Sequence, residues 1–293
     1  MRDTCALSRR HFLRLLGGAA ASVGMLSGTA PLAMACSSPL EEKGQRTLGP
    51  IGIQLYTVRT LMDRDVEGTL AALARIGYAE VELAGLHGKT AREMRAILDR
   101  HGLKCPSSHI SMQDIRERWP AALDDAHALG QRYIVCPWID ESDRTPDGYR
   151  RVAAELNRAG ETALKSGVQL AYHNHDYEFA PIAGGIVPYD LLLAECDPSL
   201  VRMELDLYWI VKAGGDPLTY FASHPGRFPL VHAKDITATG QMVDVGKGTI
   251  DFRAIFARTS EAGIAHVFVE HDDPPSPLDD VRESYEYLRH LRY

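Results

Sequence analysis

The chain has 293 residues, is 45% hydrophobic and carries a formal charge of −7. That supports a sizeable core, and the length fits one α/β barrel or two small domains. The acidic balance and the lack of a long basic run argue against nucleic acid as a partner.

Residues 1–35 read as an export signal rather than as fold. Ser8-Arg9-Arg10-His11-Phe12-Leu13 resembles the twin-arginine signal, Leu15 to Ala35 carries no charge, and Ala33-Met34-Ala35 is a small-x-small cleavage pattern. The run is long enough for a membrane anchor, but its Gly, Ser and Thr make it weakly apolar. Cleavage would remove four arginines and one aspartate and take the charge to −10. The expected partner is the twin-arginine export machinery, and the expected location is the periplasm. Two forms stay open, because Cys36 follows the cleavage pattern while Ala33 stands where lipoprotein signals usually carry Leu. One form is lipid-anchored at Cys36; the other is soluble. Residues 36–49 read as a linker and 50–293 as one barrel domain. Cys105, Cys136 and Cys196 are odd in number and irregular in spacing, which argues against a disulfide framework.

Apolar runs predict strands at Ile51–Tyr56, Tyr78–Leu83, Leu103–His109, Tyr133–Cys136, Val168–His173, Val201–Asp206, Phe228–Lys234 and His266–Glu270. Helical patterns fall between and after them, at Val66–Ile76, Ala91–His101, Pro120–Leu129, Tyr149–Ser166, Tyr189–Glu195, Leu218–Ser223, Phe252–Ala262 and Leu278–Leu291. Gly77, Gly102, Gly130, Gly167 and Gly263 punctuate the helix-to-strand junctions. Strict alternation predicts βα units and a parallel sheet, and eight units in this length predict a (β/α)8 TIM barrel. An open doubly wound sheet is the alternative, but it would rarely end so many strands in polar residues.

Those ends carry the chemistry. A closed parallel barrel gathers Gln54, Glu82, His109, His173, His175, Asp206, His232, Lys234 and Glu270 on its C-terminal face, where such barrels act. His, Asp and Glu there suit a divalent metal. His173 and His175 share a face if their strand continues that far. Either can ligate or move a proton, although a lone histidine is more often structural. Asp206 lies nearer the catalytic end than Glu204, which is an inner-barrel partner. Lys234 needs an anionic or oxygen partner; it can stabilise an enolate, or simply pair with Asp206 or Glu270. Gln54, Glu82 and His109 are candidate substrate hydrogen-bonders. Trp209 is a candidate stacking face for a sugar, or core.

Several segments carry a resemblance to the xylose isomerase-like TIM-barrel superfamily, the sugar phosphate isomerase/epimerase group. They are Gly52-Ile53-Gln54-Leu55-Tyr56-Thr57-Val58-Arg59, His173 to Phe179, Glu204-Leu205-Asp206-Leu207-Tyr208-Trp209, His232-Ala233-Lys234-Asp235, Gly246-Lys247-Gly248-Thr249-Ile250-Asp251-Phe252 and Val269-Glu270. The resemblance covers about Gly49 to Tyr293 and implies one divalent ion (manganese, zinc, magnesium or cobalt) on His173, Asp206, His232 and Glu270. It further implies proton transfer by Glu270, His173 or His175 beside a sugar carbonyl. In the epimerases a glutamate stands where this chain has His173, and that departure weakens a two-carboxylate mechanism. Inosose dehydratase-like members, with paired histidines, resemble the chain more closely there. The expectation is thus a sugar isomerase/epimerase acting on an unphosphorylated sugar or keto-sugar, with a keto-sugar dehydratase or lyase as the alternative. A non-catalytic carbohydrate binder and an endonuclease IV-like enzyme are the further alternatives, the last disfavoured by the acidic charge.

Overall fold

The computed structural model describes residues 46–293; the expected export signal, Cys36 and most of the expected linker lie outside the described residues. Within this span the chain forms eight strands: β1 (Gly52–Gln54), β2 (Glu80–Leu83), β3 (Lys104–Ser108), β4 (Tyr133–Cys136), β5 (Gln169–His173), β6 (Val201–Asp206), β7 (Leu230–Ala233) and β8 (His266–Val269). All pair in parallel, in the order β3-β2-β1-β8-β7-β6-β5-β4. A bridge between His109 and Val135 links the two outermost strands. Two further bonds tie that seam, Ile110 N–H to the Val135 carbonyl at 2.8 Å and Arg132 N–H to the Pro106 carbonyl at 2.9 Å. The result is the expected TIM barrel.

Helices between the strands cover the sheet. Their apolar stripes, such as Leu70 and Leu73 or Val152 and Leu156, are buried against its outer face. Each such side chain contributes roughly 1.5–3 kcal/mol. Local caps fix where helices start. Thr90 and Glu93 form a reciprocal capping box ahead of Ala91–Arg100. Thr145 caps Pro146–Lys165, with Pro146 in the first turn, so that helix begins three residues before the expected Tyr149. The expected Phe252–Ala262 helix breaks at Arg258 into Phe252–Ala257 and Thr259–Ala262. Three helices were not anticipated, Arg59–Met62, Met112–Glu117 and Leu207–Lys212. Among the described residues no helix is long and apolar enough to cross a membrane.

The barrel interior is layered because side chains alternate along each strand. Near the bottom, the His266 ring nitrogen lies 2.7 Å from Glu80. Above it Val135, Ala171, Leu230 and Phe268 form a small apolar plug separate from the main core. Gly52 belongs to this layer, since a Cβ there would sit 2.4 Å from the Phe268 ring. Above it Gln54, Glu82, Glu204 and His232 form a fully buried polar layer. Higher still stand His173, Asp206, Lys234 and Glu270, two residues past Ala171, Glu204, His232 and Phe268. After β7 the chain turns back through a two-residue ribbon, Asp235–Ile236 against Met242–Val243. The loop that follows wraps the Asp235 carboxylate, which accepts from the N–H groups of Gly246, Gly248 and Ile250 at 2.9, 2.9 and 3.1 Å. A Cβ on Gly248 would lie 2.3 Å from that carboxylate, which is why glycine stands there.

Candidate active site

Asp206 shows how the strand ends are fixed. It closes β6 and also caps the helix Leu207–Lys212, its Oδ1 accepting from Trp209 N–H at 2.9 Å. The Asn174 side chain then pairs with the Asp206 main chain. Asn174 Oδ1 accepts from Asp206 N–H at 3.0 Å, and Nδ2 donates to the Asp206 carbonyl at 3.4 Å. Asn174 thereby stands in for the next rung of the β5–β6 ladder, and β5 ends at His173. With its rotation set, Asp206 turns its buried Oδ2 toward the cluster, where it pairs with Lys234 Nζ at 3.1 Å.

Around that oxygen stand His173, His232 and Glu270, and one donor atom from each of the four lies within 4.8 Å of all the others. His173 Nε2 and His232 Nδ1 are each 3.8 Å from Asp206 Oδ2, and His232 Nδ1 is 2.7 Å from Glu270 Oε2. The inner ring nitrogens face the layer below. His173 Nδ1 lies 3.1 Å from Glu204 Oε2, and His232 Nε2 lies 2.7 Å from Glu82 Oε2 and 3.2 Å from Glu204 Oε2. His109 Nε2 joins the same pair, 2.9 Å from Glu204 and 3.2 Å from Glu82, and Gln54 Nε2 donates to Glu82 at 2.8 Å. Carboxylates that hold the inward nitrogens of two histidines fix the tautomer and ring orientation that a metal ligand needs.

The charges follow. Burial and the charge of His232 push His173 well below its ordinary value, so it is neutral. Its Nδ1–H points at Glu204, and its Nε2 lone pair faces Asp206 Oδ2. An imidazole lone pair and a carboxylate oxygen facing each other across 3.8 Å, with the Lys234 ammonium 3.1 Å from that oxygen, make a cation-favouring place whose donors fit a divalent ion. Burial opposes a charge on His232, but Glu204 and Glu270 outweigh it and hold the ring protonated. Burial raises Asp206 to about 6 against the pull of Lys234 and His232. Burial also opposes ionisation of Glu270, yet Lys234 and His232 hold it well below the usual carboxylate range. His109 behaves like His232: burial is outweighed by Glu82 and Glu204, and its value rises to about 9.

A cavity of about 420 Å³ opens above this cluster, lined in part by His109, His173, His175, Lys234 and Glu270. Lys234 Nζ lies 3.1 Å from Asp206, 2.7 Å from Glu270 and 2.8 Å from Asp272, so the expected pairing is present and the ammonium still faces the cavity. His175 lies beyond the end of β5 rather than on it, yet it reaches the cavity wall. Burial and the charge of Lys234 lower it to about 3, so it too is neutral. Gln54 and Glu82, expected to meet substrate, instead lie in the fully buried layer below and do not line the cavity. Trp209 is also off the wall; its ring centroid is 5.4 Å from that of His175, and Lys234 Nζ lies 5.6 Å from it.

Reading the sequence missed Tyr56, Trp138 and Asp272, which line the cavity, and Asn174, which sets Asp206. Trp138 carried a usable signal, an aromatic two residues past the end of β4. Glu178 was noticed only as a neighbour of His173. It is fully buried, accepts from Tyr172 Oη at 2.5 Å and from His175 N–H at 2.8 Å, and burial raises it to about 7.

A closed parallel barrel with imidazole and carboxylate donors at its C-terminal mouth is an enzyme scaffold of the sugar-modifying kind. The chain belongs to the xylose isomerase-like TIM barrel family, whose profile matches residues 70–291. An inosose dehydratase from Lacticaseibacillus casei is 24% identical over 265 residues, covering 76% of this chain and 88% of that protein. A solved sugar phosphate isomerase/epimerase from Parabacteroides distasonis is 28% identical, with a TM-score of 0.72 over 89% of this chain and 98% of that one. The IolI protein, solved with a zinc atom, shares the fold at 15% identity and a TM-score of 0.65, covering 81% of this chain and 96% of that one.

Proposed function

We propose that the protein is a metal-dependent lyase that removes water from a keto-sugar or keto-polyol. The observation that carries this is the His173–Asp206–His232–Glu270 cluster on the floor of a cavity whose walls hold two further imidazoles, His109 and His175. A divalent ion on those four donors would act as a Lewis acid on the substrate carbonyl.

The chain's own groups account for the proton movements. His173 is committed to Glu204, and Glu270 Oε2 to His232 and Lys234. His175 is neutral, its Nδ1 is buried, and its Nε2, the nitrogen left toward the cavity, has no hydrogen-bond partner among the described residues. It therefore takes the proton from the carbon beside the carbonyl. Lys234 faces the negative charge that develops on the carbonyl oxygen. The electron pair of the broken C–H bond forms a carbon–carbon double bond and expels the β-oxygen. His109, with Nε2 held by two carboxylates and Nδ1 without a hydrogen-bond partner among the described residues, gives that oxygen a proton, and it leaves as water.

The likeness to inosose dehydratases supports this order of preference, as does an imidazole where a two-carboxylate epimerase would carry glutamate. Isomerisation or epimerisation on the same site is the second reading, supported by the likeness to the Parabacteroides protein. The cavity wall includes no arginine, and its lysine is already paired with three carboxylates, which supports an unphosphorylated substrate. Twin-arginine export to the periplasm, soluble or lipid-anchored at Cys36, remains part of the proposal and rests on the leader pattern. The test is incubation of the metal-loaded protein with 2-keto-inositol (inosose) and a panel of free keto-sugars. Loss of one water by mass supports the lyase. Deuterium uptake from heavy water with no such loss replaces it with the isomerase reading.

A further inference from the structure

We propose that Glu178 is a positioning residue for His175: its carboxylate holds the turn after β5 so that the His175 ring faces the cavity with an uncommitted nitrogen. This rests on the reading above, in which His175 takes the proton.

Among the described residues no side-chain hydrogen bond orients the His175 ring; its Nδ1 is buried, which leaves Nε2 as the uncommitted nitrogen toward the cavity. Its aim must come from its main chain and from packing. The main-chain N–H of His175 donates to Glu178 Oε2 at 2.8 Å, while Glu178 Oε1 takes the Tyr172 hydroxyl at 2.5 Å. One carboxylate thus ties the turn back to the strand it has just left. The Glu178 carbonyl accepts from Tyr189 N–H at 2.8 Å, which anchors the far end of the turn to the helix Pro188–Glu195. The Tyr177 ring then stacks on His175, with centroids 5.6 Å apart and planes within 9°, and the Arg144 guanidinium lies 3.5 Å from the Tyr177 ring centroid. Glu178 itself neither lines the cavity nor belongs to the metal-competent groups. A fully buried carboxylate is costly unless its bonds are used, and these bonds end at the main chain of His175.

The test is a double-mutant cycle on the metal-loaded protein with 2-keto-inositol, using Glu178→Met, Glu178→Gln, His175→Ala and the His175→Ala/Glu178→Met pair. Glu178→Met should lower kcat by about 100-fold, the order expected for a misplaced catalytic group, with metal content unchanged. Glu178→Gln should restore most of it, since its oxygen can accept from His175 N–H and its amide can donate to the Tyr172 hydroxyl oxygen. Glu178→Met should add no loss on top of His175→Ala. Losses that multiply in the pair would overturn the proposal. If Glu178→Met does not fold, Glu178→Asp, which withdraws the oxygen and keeps the charge, carries the same cycle. If the wild type does not turn over 2-keto-inositol, that particular substrate fails on its own. The positioning claim is then decided by the ring nitrogen NMR shifts of His175. Shifts that move in Glu178→Met and return in Glu178→Gln support it; shifts unmoved in Glu178→Met overturn it.

Discussion

Replacing Glu204 by Gln isolates the electrostatic part of the site. One oxygen of Glu204 faces three imidazole nitrogens, those of His109, His173 and His232 at 2.9, 3.1 and 3.2 Å. Its other oxygen is buried with no partner among the described residues. Gln can therefore keep its carbonyl oxygen toward the imidazoles and place its amide where no bond is lost. The shape survives and the charge does not. Groups that orient metal-ligating histidines are typically worth about 10- to 100-fold in metal affinity, or roughly 1.4–2.7 kcal/mol. Glu204→Gln should weaken zinc binding by that order while circular dichroism stays as in the wild type. Competition with a chromophoric chelator measures the affinity. An affinity equal to the wild type would refute the claim that the buried layer tunes the ligands.

Three further outcomes follow from the same geometry. Because Glu178 is raised from 4.5 to about 7, the stability it contributes is full below pH 4.5 and is lost as pH rises through 7. Wild type should therefore lose up to about 3 kcal/mol relative to Glu178→Gln between pH 4.5 and 8, read as a difference in melting temperature; parallel pH profiles would count against it. Gly52→Ala forces a Cβ to 2.4 Å from the Phe268 ring and should cost about 1–3 kcal/mol, whereas an unchanged melting temperature would mean that the apolar plug is loosely packed. Carboxylates hold His232 protonated, so an ion on its Nδ1 must displace a proton. Titration calorimetry in buffers of different ionisation enthalpy should show proton release at neutral pH, and heats independent of buffer would exclude His232 as a ligand.

The barrel was legible because its signals repeat. Strands Tyr133–Cys136 and Val201–Asp206 and the helix Val66–Ile76 fall where the apolar periods place them. Short elements were less readable. Leu207–Lys212 continues an apolar run straight out of β6, and period alone does not separate so short a helix from strand or loop. Local side chains decide two strand ends: the first expected strand overran the observed one by two residues, whereas the fifth ends at His173 as expected. Gln54 stops β1 by accepting from Tyr56 N–H at 3.1 Å, and Asn174 stops β5 by pairing with Asp206. Both are side chains competing with the ladder, which alternation does not reveal. The strand-end rule gathered the polar residues but not their depth. Glu82 and Glu204 face the barrel axis as Asp206 and Glu270 do; Glu204 lies one two-residue step below Asp206 on the same strand, and Glu82 lies below Glu270 through the stagger between their strands.

The most direct test of the central claim is metal analysis of the purified mature domain beside Asp206→Ala. The account expects about one divalent ion per chain in the wild type and its loss in the variant, since Asp206 Oδ2 faces both imidazoles of the donor set. An absence of metal in both proteins after divalent ions are supplied, or retention in Asp206→Ala, would contradict the assignment of that cluster as the metal centre.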